Sequence, residues 1–374
     1  MAHESLVDRD GLEEFSVVFT DRSLNHMSAS FQQVMRDISG MLKEVYNADG
    51  VALVPGGGTF GMEAVARQFA RGARTLVVRN GWFSYRWSQI FETGGFAAES
   101  TVMKARQMGN GATAPFAPAP IEDVVARIRE ERPQIVFAPH VETSAGVILP
   151  DDYIAQMAAA AHEVDALMVL DCIASGCVWV DMKALGVDVL CSAPQKGWSA
   201  SPSAGLVMMS DRALERLEHT QSDSFAIDLK KWRDIMVIYE SGGHAYHATM
   251  PTGALKAFRD TMAETKSYGF GKLRDAQWAL GDGVRAMLAE KGITSVAADG
   301  FGAPGVVVSY TSDVAVQNGS KFAEKGMQIA AGVPLACDEP DGFMTFRLGL
   351  FGLDKLYDVD GTIARLKRVL DEVL

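Results

Sequence analysis

One lysine, Lys196, lies in the stretch "SAPQKGWSASPS" between two apolar runs, and its neighbours are small and polar. Such a loop lets another molecule approach the amine closely. A lysine that is partly desolvated gives up its proton more readily than one in water. The free amine is a nucleophile toward carbonyl carbon and can form a Schiff base. A solvated loop lysine is the alternative. Asp171 closes the apolar run "ALMVLD". A carboxylate there needs a partner, because an unpaired buried charge is costly. A helix cap or an arginine would serve, and so would the protonated ring nitrogen of a cofactor. The segment "VPGGGTFGMEA" puts Gly57, Gly58 and Thr59 between a strand and a helix start. Backbone amides and a hydroxyl at that point suit an anion such as phosphate. An ordinary tight turn has the same look. No Walker lysine follows, and the fit to a dinucleotide-binding glycine pattern is poor.

The elements that must hold these groups alternate along the chain. Apolar runs such as "GVALVPGG", "ARTLVVRNG", "PQIVFAPHV", "ALMVLDCIAS", "VDVLCSAPQK" and "AGLVMMS" read as strands. Helical patterns separate them, among them "TFGMEAVARQFA", "WFSYRWSQIFETGG", "PDDYIAQMAAAAHEV" and "DRALERLEHT". Continuous apolar strands between helices predict an α/β architecture with a mostly parallel sheet covered on both faces. After Pro251 a long helical stretch leads into "GVVVSYTS", "GVPLACDEP" and "FMTFRLGLFG", read as short strands, and a closing helix "GTIARLKRVLDEVL". These indicate a smaller α+β domain. The expected division is an N-terminal arm over 1–15, a large domain over 16–268 and a small domain over 269–374.

Ligands of such sheets sit outside the C-terminal ends of the strands. Five of those ends carry glycine or polar residues: Gly56–Thr59, Asn80–Phe83, His140–Ser144, Asp171, and Gln195–Lys196. A phosphate cradle, an aromatic face, a buried carboxylate and a reactive lysine on successive strand ends together describe a pyridoxal 5′-phosphate site. The aldehyde needs the lysine, and the pyridine nitrogen needs the carboxylate to stay protonated.

The bulk numbers agree with an ordinary globular protein. The 374 residues are 48% apolar and 22% charged, with a net charge of −12. That charge disfavours nucleic acid and anionic membranes as partners. No apolar run is long enough to span a bilayer, and the first residues lack the order of a signal or transit peptide. The four cysteines, Cys172, Cys177, Cys191 and Cys337, match no metal-ligand spacing. They read as free thiols of a cytoplasmic protein, and no metal site is expected.

The chain resembles the class V, fold-type I pyridoxal-phosphate aminotransferases, especially the alanine–glyoxylate and serine–glyoxylate (serine–pyruvate) group. The matching segments run in the family's order from "NHMSASFQQVM" through "GGGTFGMEA", "RNGWFSYR", "HVETSAGVILP", "LDCIASGCVWVDMKALGVDVLCSAPQKG" and "YHATMP" to "FRLGLFG". The resemblance implies a large domain with a seven-stranded type of sheet sandwiched by helices. It implies that Lys196 is the Schiff-base lysine and proton shuttle, and that Asp171 is the partner of the pyridine nitrogen. It places Phe83 on the cofactor ring, Gly57, Gly58, Thr59 and Gln195 at the phosphate, and Thr143 near the ring oxygen. Tyr246 and Thr249 match a pair that reaches the phosphate from the neighbouring subunit, so a homodimer with shared sites is implied. Arg347 matches the arginine that clamps the substrate carboxylate.

The chain also departs from the family pattern. Its N-terminal region lacks a Pro-Gly-Pro segment, and His26 or Ser28 would be the residues to replace that wall. Trp82, Trp87 and Trp198 are either pocket or core. Cys337 precedes the clamp beside Asp338, Glu339 and Asp341; if these acids face the pocket they oppose dicarboxylates. The expected activity is transfer of an amino group from alanine or serine to glyoxylate or pyruvate. A lyase or a cysteine desulfurase using Cys337 would keep the cofactor. A nucleotide-binding dehydrogenase would leave Lys196 and Arg347 without a purpose.

Overall fold

The computed structural model describes residues 12–374. The arm expected over residues 1–15 therefore falls largely outside the described residues.

Seven strands form the main sheet: β1 (Gly50–Pro55), β2 (Arg74–Arg79), β3 (Glu99–Lys104), β4 (Ile135–Pro139), β5 (Leu167–Asp171), β6 (Val189–Ser192) and β7 (Ala204–Met209). Their order across the sheet is β1-β7-β6-β5-β4-β2-β3. Pairings from β6 to β3 are parallel, and β7 runs antiparallel to both β1 and β6. The expected mostly parallel α/β sheet is therefore present, with one reversed strand. The central strands β4, β5, β6 and β7 are buried along their whole length. Helices cover both faces, which is why those strands read as unbroken apolar runs.

β3 escaped the sequence reading. It lies at the sheet edge, and Glu99 and Ser100 are exposed while the rest are half-buried. An edge strand with one wet side needs no apolar run, so its sequence "ESTVMK" carries little signal.

The long helical stretch after Pro251 divides at Gly269, whose φ of +111° is costly for any residue with a side chain. Helix Thr252–Tyr268 ends there and helix Phe270–Glu290 begins. We propose this point as the boundary between the two domains. Beyond it, strands β8 (Val306–Tyr310), β9 (Ala330–Ala331) and β10 (Thr345–Gly349) form an antiparallel sheet in the order β8-β10-β9. Phe346 and Leu348 of β10 join a core with Leu280 and Val284 of one helix and Leu366 and Leu370 of helix Val359–Val373. By strand alternation Arg347 points to the opposite face.

The segment "GVPLACDEP" is not the strand that its composition suggested. Only Ala330–Ala331 pair beside it, and the following residues form a loop in which Ala336 and Asp338 have positive φ. The Glu339 carboxylate holds that loop by accepting the backbone N–H groups of Leu335, Ala336 and Cys337.

One contact fixes the sheet to the first site helix. A Cβ placed on Gly205 of β7 would stand 2.5 Å from Gly61 N and 2.6 Å from Gly61 Cα. The glycine lets helix Gly58–Phe69 lie directly on the strand. Gly205→Ala should lower unfolding stability by about 1–3 kcal/mol through overpacking. The check is a lower urea midpoint at unchanged slope; an unmoved midpoint would show that helix and strand separate without cost.

Candidate active site

Because β1, β2, β4, β5 and β6 all run in one direction, their C-terminal ends meet along one edge of the sheet. A cavity of about 460 Å³ opens there, closed on its far side by Val306, Ala330, Arg347 and Phe351 of the smaller sheet and its margin. Gly57, Gly58, Thr59, Phe83, Thr143, Asp171, Gln195 and Lys196 all line it.

Lys196 leaves the end of β6 on a loop held by backbone contact. A Cβ on Gly197 would lie 2.0 Å from Gly176 O, so only glycine permits this approach. No carboxylate stands within ion-pair distance of the Lys196 amine among the described residues; its Nζ lies 5.4 Å from the centre of the Phe351 ring. Burial holds its pKa below the ordinary lysine value, and the nearby Arg347 cation adds to the effect. A neutral amine is therefore more accessible here than on the surface.

Asp171 is 7% exposed and ends β5 beside the lysine loop. One carboxylate oxygen accepts Ile173 N–H at 2.9 Å. No cation pairs with it among the described residues. Burial pushes its pKa up to about 7, against the Ile173 hydrogen bond, and the Glu142 charge adds to the rise. A buried acid without a cation, aimed into a cavity, fits a ligand that brings a positively charged N–H.

Two helices point their N-termini at this edge, and they are treated differently. Helix Trp82–Gly94 is closed by Glu142, a fully buried acid. Its carboxylate accepts Phe83 N–H at 3.2 Å, Ser84 N–H at 2.8 Å and Ser84 Oγ at 2.7 Å. It also accepts Ser144 N–H at 3.1 Å and Ser144 Oγ at 2.8 Å. Helix Gly58–Phe69 has no side-chain cap, and a Cβ added at Gly57 would meet no other atom within 4 Å. Arg86 donates from Nη1 to Thr59 Oγ1 at 3.0 Å beside that open end. Free amides, a hydroxyl and a guanidinium form a cradle for phosphate. The residues present thus fit pyridoxal 5′-phosphate at both its nitrogen and its phosphate.

Arg347 donates from Nε to Ala331 O at 2.8 Å, and its Nη1 lies 3.5 Å from Thr143 O. No acid pairs with it among the described residues. Burial lowers its pKa, and the Glu142 charge works in the other direction. The guanidinium carbons of Arg86 and Arg347 lie 5.3 and 5.5 Å from the Phe83 ring centre. The ring thus has a cation on the phosphate side and another on the side of the smaller sheet.

Other expected residues lie elsewhere. Tyr246 and Thr249 are not in the cavity; they hydrogen-bond each other at 2.9 Å, and Tyr246 is 53% exposed. His26 packs beside Tyr246 and Phe19, and Ser28 caps helix Ala29–Tyr46, so neither forms a cavity wall in this chain. Trp87 and Trp198 belong to the core, and Trp82 stacks edge-on with Tyr85. Cys337 donates to Arg79 O at 3.4 Å outside the cavity, and burial pushes its thiol up to about 12. Asp338 pairs with Lys104 and Asp341 is exposed; with Glu339 turned onto its own loop, none of the three acids lines the cavity.

Three site residues, Arg86, Phe351 and Glu142, were given no role of their own in the sequence. Arg86 had a signal, since it lies three positions after Phe83 and so on the same helix face. Phe351 lay inside a quoted motif. Glu142 gave no cue of its role, which exists only because β2 and β4 are neighbours.

The sequence profile described as Aminotransferase class-V matches residues 13–331. The chain is 26% identical over 354 residues to the small subunit of a soluble hydrogenase from Synechococcus sp., covering 94% of this chain and 88% of that one. It is 25% identical over 274 residues to alanine–glyoxylate aminotransferase 1 of Saccharomyces cerevisiae, covering 70% and 69%. Its fold superposes on the crystal structure of an alanine–glyoxylate aminotransferase from Nostoc sp. with a TM-score of 0.77 at 23% identity, over 92% of this chain and 88% of the other.

Two experiments probe the site's electrostatics. The folded Asp171 pKa of about 7 lies above the roughly 3.9 of an unfolded aspartate. Its contribution is therefore full below pH ~4 and is lost as pH rises through 7. Cofactor-stripped Asp171→Asn should exceed the wild type in stability above pH 7 by on the order of 4 kcal/mol, with the gap closing toward pH 4. Parallel urea profiles across that range would show that burying this acid carries no penalty. Glu142→Gln places amide hydrogens against donors and should cost about 3 kcal/mol, with weaker cofactor retention; unchanged retention would show that Phe83 is positioned by other means.

Proposed function

The chain belongs to the aminotransferase class-V family, and from that premise we propose that it transfers an amino group from a small amino acid, alanine or serine, to glyoxylate or pyruvate. The observation that carries this reading is the pairing of Lys196 and Asp171 on neighbouring strand ends, with the unpaired Arg347 across the same cavity. The enzyme depends on pyridoxal 5′-phosphate. When bound, the cofactor supplies the electron sink that lets the substrate's α-proton leave.

The chain's own residues do the rest. Gly57, Gly58, Thr59, Gln195 and Arg86 hold the phosphate. Phe83 would cover one face of the ring, and Thr143 would serve near its oxygen. Asp171 keeps the ring nitrogen protonated, because a cation is what this buried acid lacks. Lys196, a free amine favoured by its burial, would be the group that bonds the cofactor's aldehyde and, when released, the base that carries the substrate's α-proton. Arg347 holds the substrate carboxylate and so aligns the carbon that loses its proton. One clamp of this kind, with Phe83 and Phe351 as apolar walls, suits small substrates. The alanine–glyoxylate activity for which the yeast relative is named supports the choice of alanine and glyoxylate.

Tyr246 and Thr249 are assigned to the phosphate site of a second copy, in a homodimer. Their exposure, with Phe60 at 51% and Phe225 at 75%, supports that assignment. No helix among the described residues is long and apolar enough to cross a membrane. The four cysteines are free and buried, which suits a cytoplasmic setting.

The test is optical and kinetic. L-alanine or L-serine should bleach the visible band of the cofactor-loaded protein, and glyoxylate or pyruvate should restore it. Lys196→Ala should reduce turnover by about 10³-fold or more. Arg347→Gln should raise KM for the donor by roughly 10- to 100-fold, the worth of a charged hydrogen-bonding pair. Turnover near the wild-type rate in Lys196→Ala would overturn the assignment.

A further inference from the structure

One wall of the catalytic cavity has its position set by two glycines. Phe351 follows β10 and lines the cavity beside Lys196, whose Nζ lies 5.4 Å from the centre of its ring. One edge of the ring rests on Gly305: a Cβ there would stand 2.8 Å from Cε1, 3.4 Å from Cδ1 and 3.6 Å from Cζ. The other edge faces Gly349, where a Cβ would lie 3.9 Å from Cδ2. The backbone around the ring is tied on both sides. Leu350 N–H donates to Gly305 O at 2.9 Å, and Lys355 Nζ donates to Phe351 O at 2.8 Å. Leu353 N–H donates to Ser199 Oγ at 3.1 Å, on the loop that carries Lys196. The ring thus has packed protein behind it and little room to draw back from the cavity.

On the aminotransferase reading, on which the proposal rests, a donor's α-proton faces the Lys196 amine and its carboxylate faces Arg347. The donor's side chain takes the space left between them. Phe351 is the aromatic ring that stands beside the amine. Phe60, which also lines the cavity, is 51% exposed, and Phe83 is flanked by the Arg86 and Arg347 guanidinium groups. We propose that Phe351, held forward by Gly305, is the residue that limits the length of the donor's side chain. It leaves room for the side chain of alanine or serine and excludes a branched one such as that of leucine. Gly305 tunes the same limit from behind. A methyl group there would meet the far end of the ring and push it further into the cavity.

The test compares donors of graded length. kcat/KM would be measured for L-alanine, L-2-aminobutyrate and L-leucine with glyoxylate as acceptor. Phe351→Ala should raise the leucine-to-alanine ratio by about tenfold or more, the discrimination that a few methylene groups carry in an apolar pocket. Gly305→Ala should lower the 2-aminobutyrate-to-alanine ratio by roughly threefold or more. Such ratios do not depend on how much of a preparation is active. Should Phe351→Ala fail to fold, Phe351→Leu is read in its place, with a rise of the same sign. Calorimetry on the cofactor-loaded protein reads the same limit without turnover. In the Phe351 variant, 4-methylpentanoate, which is leucine without its amino group, should bind more tightly relative to propionate by about tenfold or more. A wild type that transaminates neither alanine nor serine would refute the choice of donor; the binding ratio then decides the role of Phe351 by itself. A leucine-to-alanine ratio or a binding ratio that keeps its wild-type value in the Phe351 variant would overturn the proposal. So would a 2-aminobutyrate-to-alanine ratio that Gly305→Ala leaves unmoved.

Discussion

The site depends on charges that are buried together and kept from neutralising one another. Among the described residues Asp171 lacks a cation, and Lys196 and Arg347 lack an acid, although all three line one cavity. In a flexible chain such groups would collapse into pairs, since attraction at short range in a low dielectric is strong. Here each is tied to a different rigid element. Asp171 ends a central strand, Lys196 follows the next strand on a loop pinned against Gly176, and Arg347 is gripped by Ala331 O on the smaller sheet. The sheet thus holds the groups in the states that a ligand requires, and the ligand supplies the missing counterparts.

The two helix N-termini at the same edge show how this selectivity is built. Both present unsatisfied amides. Glu142 occupies one completely, and in doing so fixes the backbone of Phe83 and the turn carrying Thr143. The other is left uncapped beside glycines that keep side chains away. Of these two termini, the uncapped one is open to an anion arriving from solution. The acid that fills the first terminus is therefore as much a part of anion recognition as the glycines at the second.

Much of this was legible in the sequence because the decisive groups sit at strand ends. Burial makes each strand an apolar run, and the first polar residue after such a run stands out. That logic found Gly57, Gly58, Thr59, Thr143, Asp171, Gln195 and Lys196. It failed where a role arises between strands that are distant in sequence, as with Glu142, or where burial is one-sided, as with β3. It misread "GVPLACDEP" because a loop braced by an inward carboxylate can bury Leu335 and Cys337 as a strand would. Tyr246 and Thr249 pair with each other, and Tyr246 packs on His26, away from the cavity of their own chain.

Arg347 belongs to a different hydrophobic core from Lys196 and Asp171. The distance from clamp to amine is therefore set by how two cores sit against each other, through contacts such as Leu353 N–H with Ser199 Oγ and Trp179 Nε1–H with Phe270 O. This separates two kinds of inheritance. Changes within the large core alter whether the reaction occurs at all. Changes along the seam, at positions that touch no reactant, alter only which substrate length is served. A lineage can shift its diet by repacking that seam while its chemistry stays as it was.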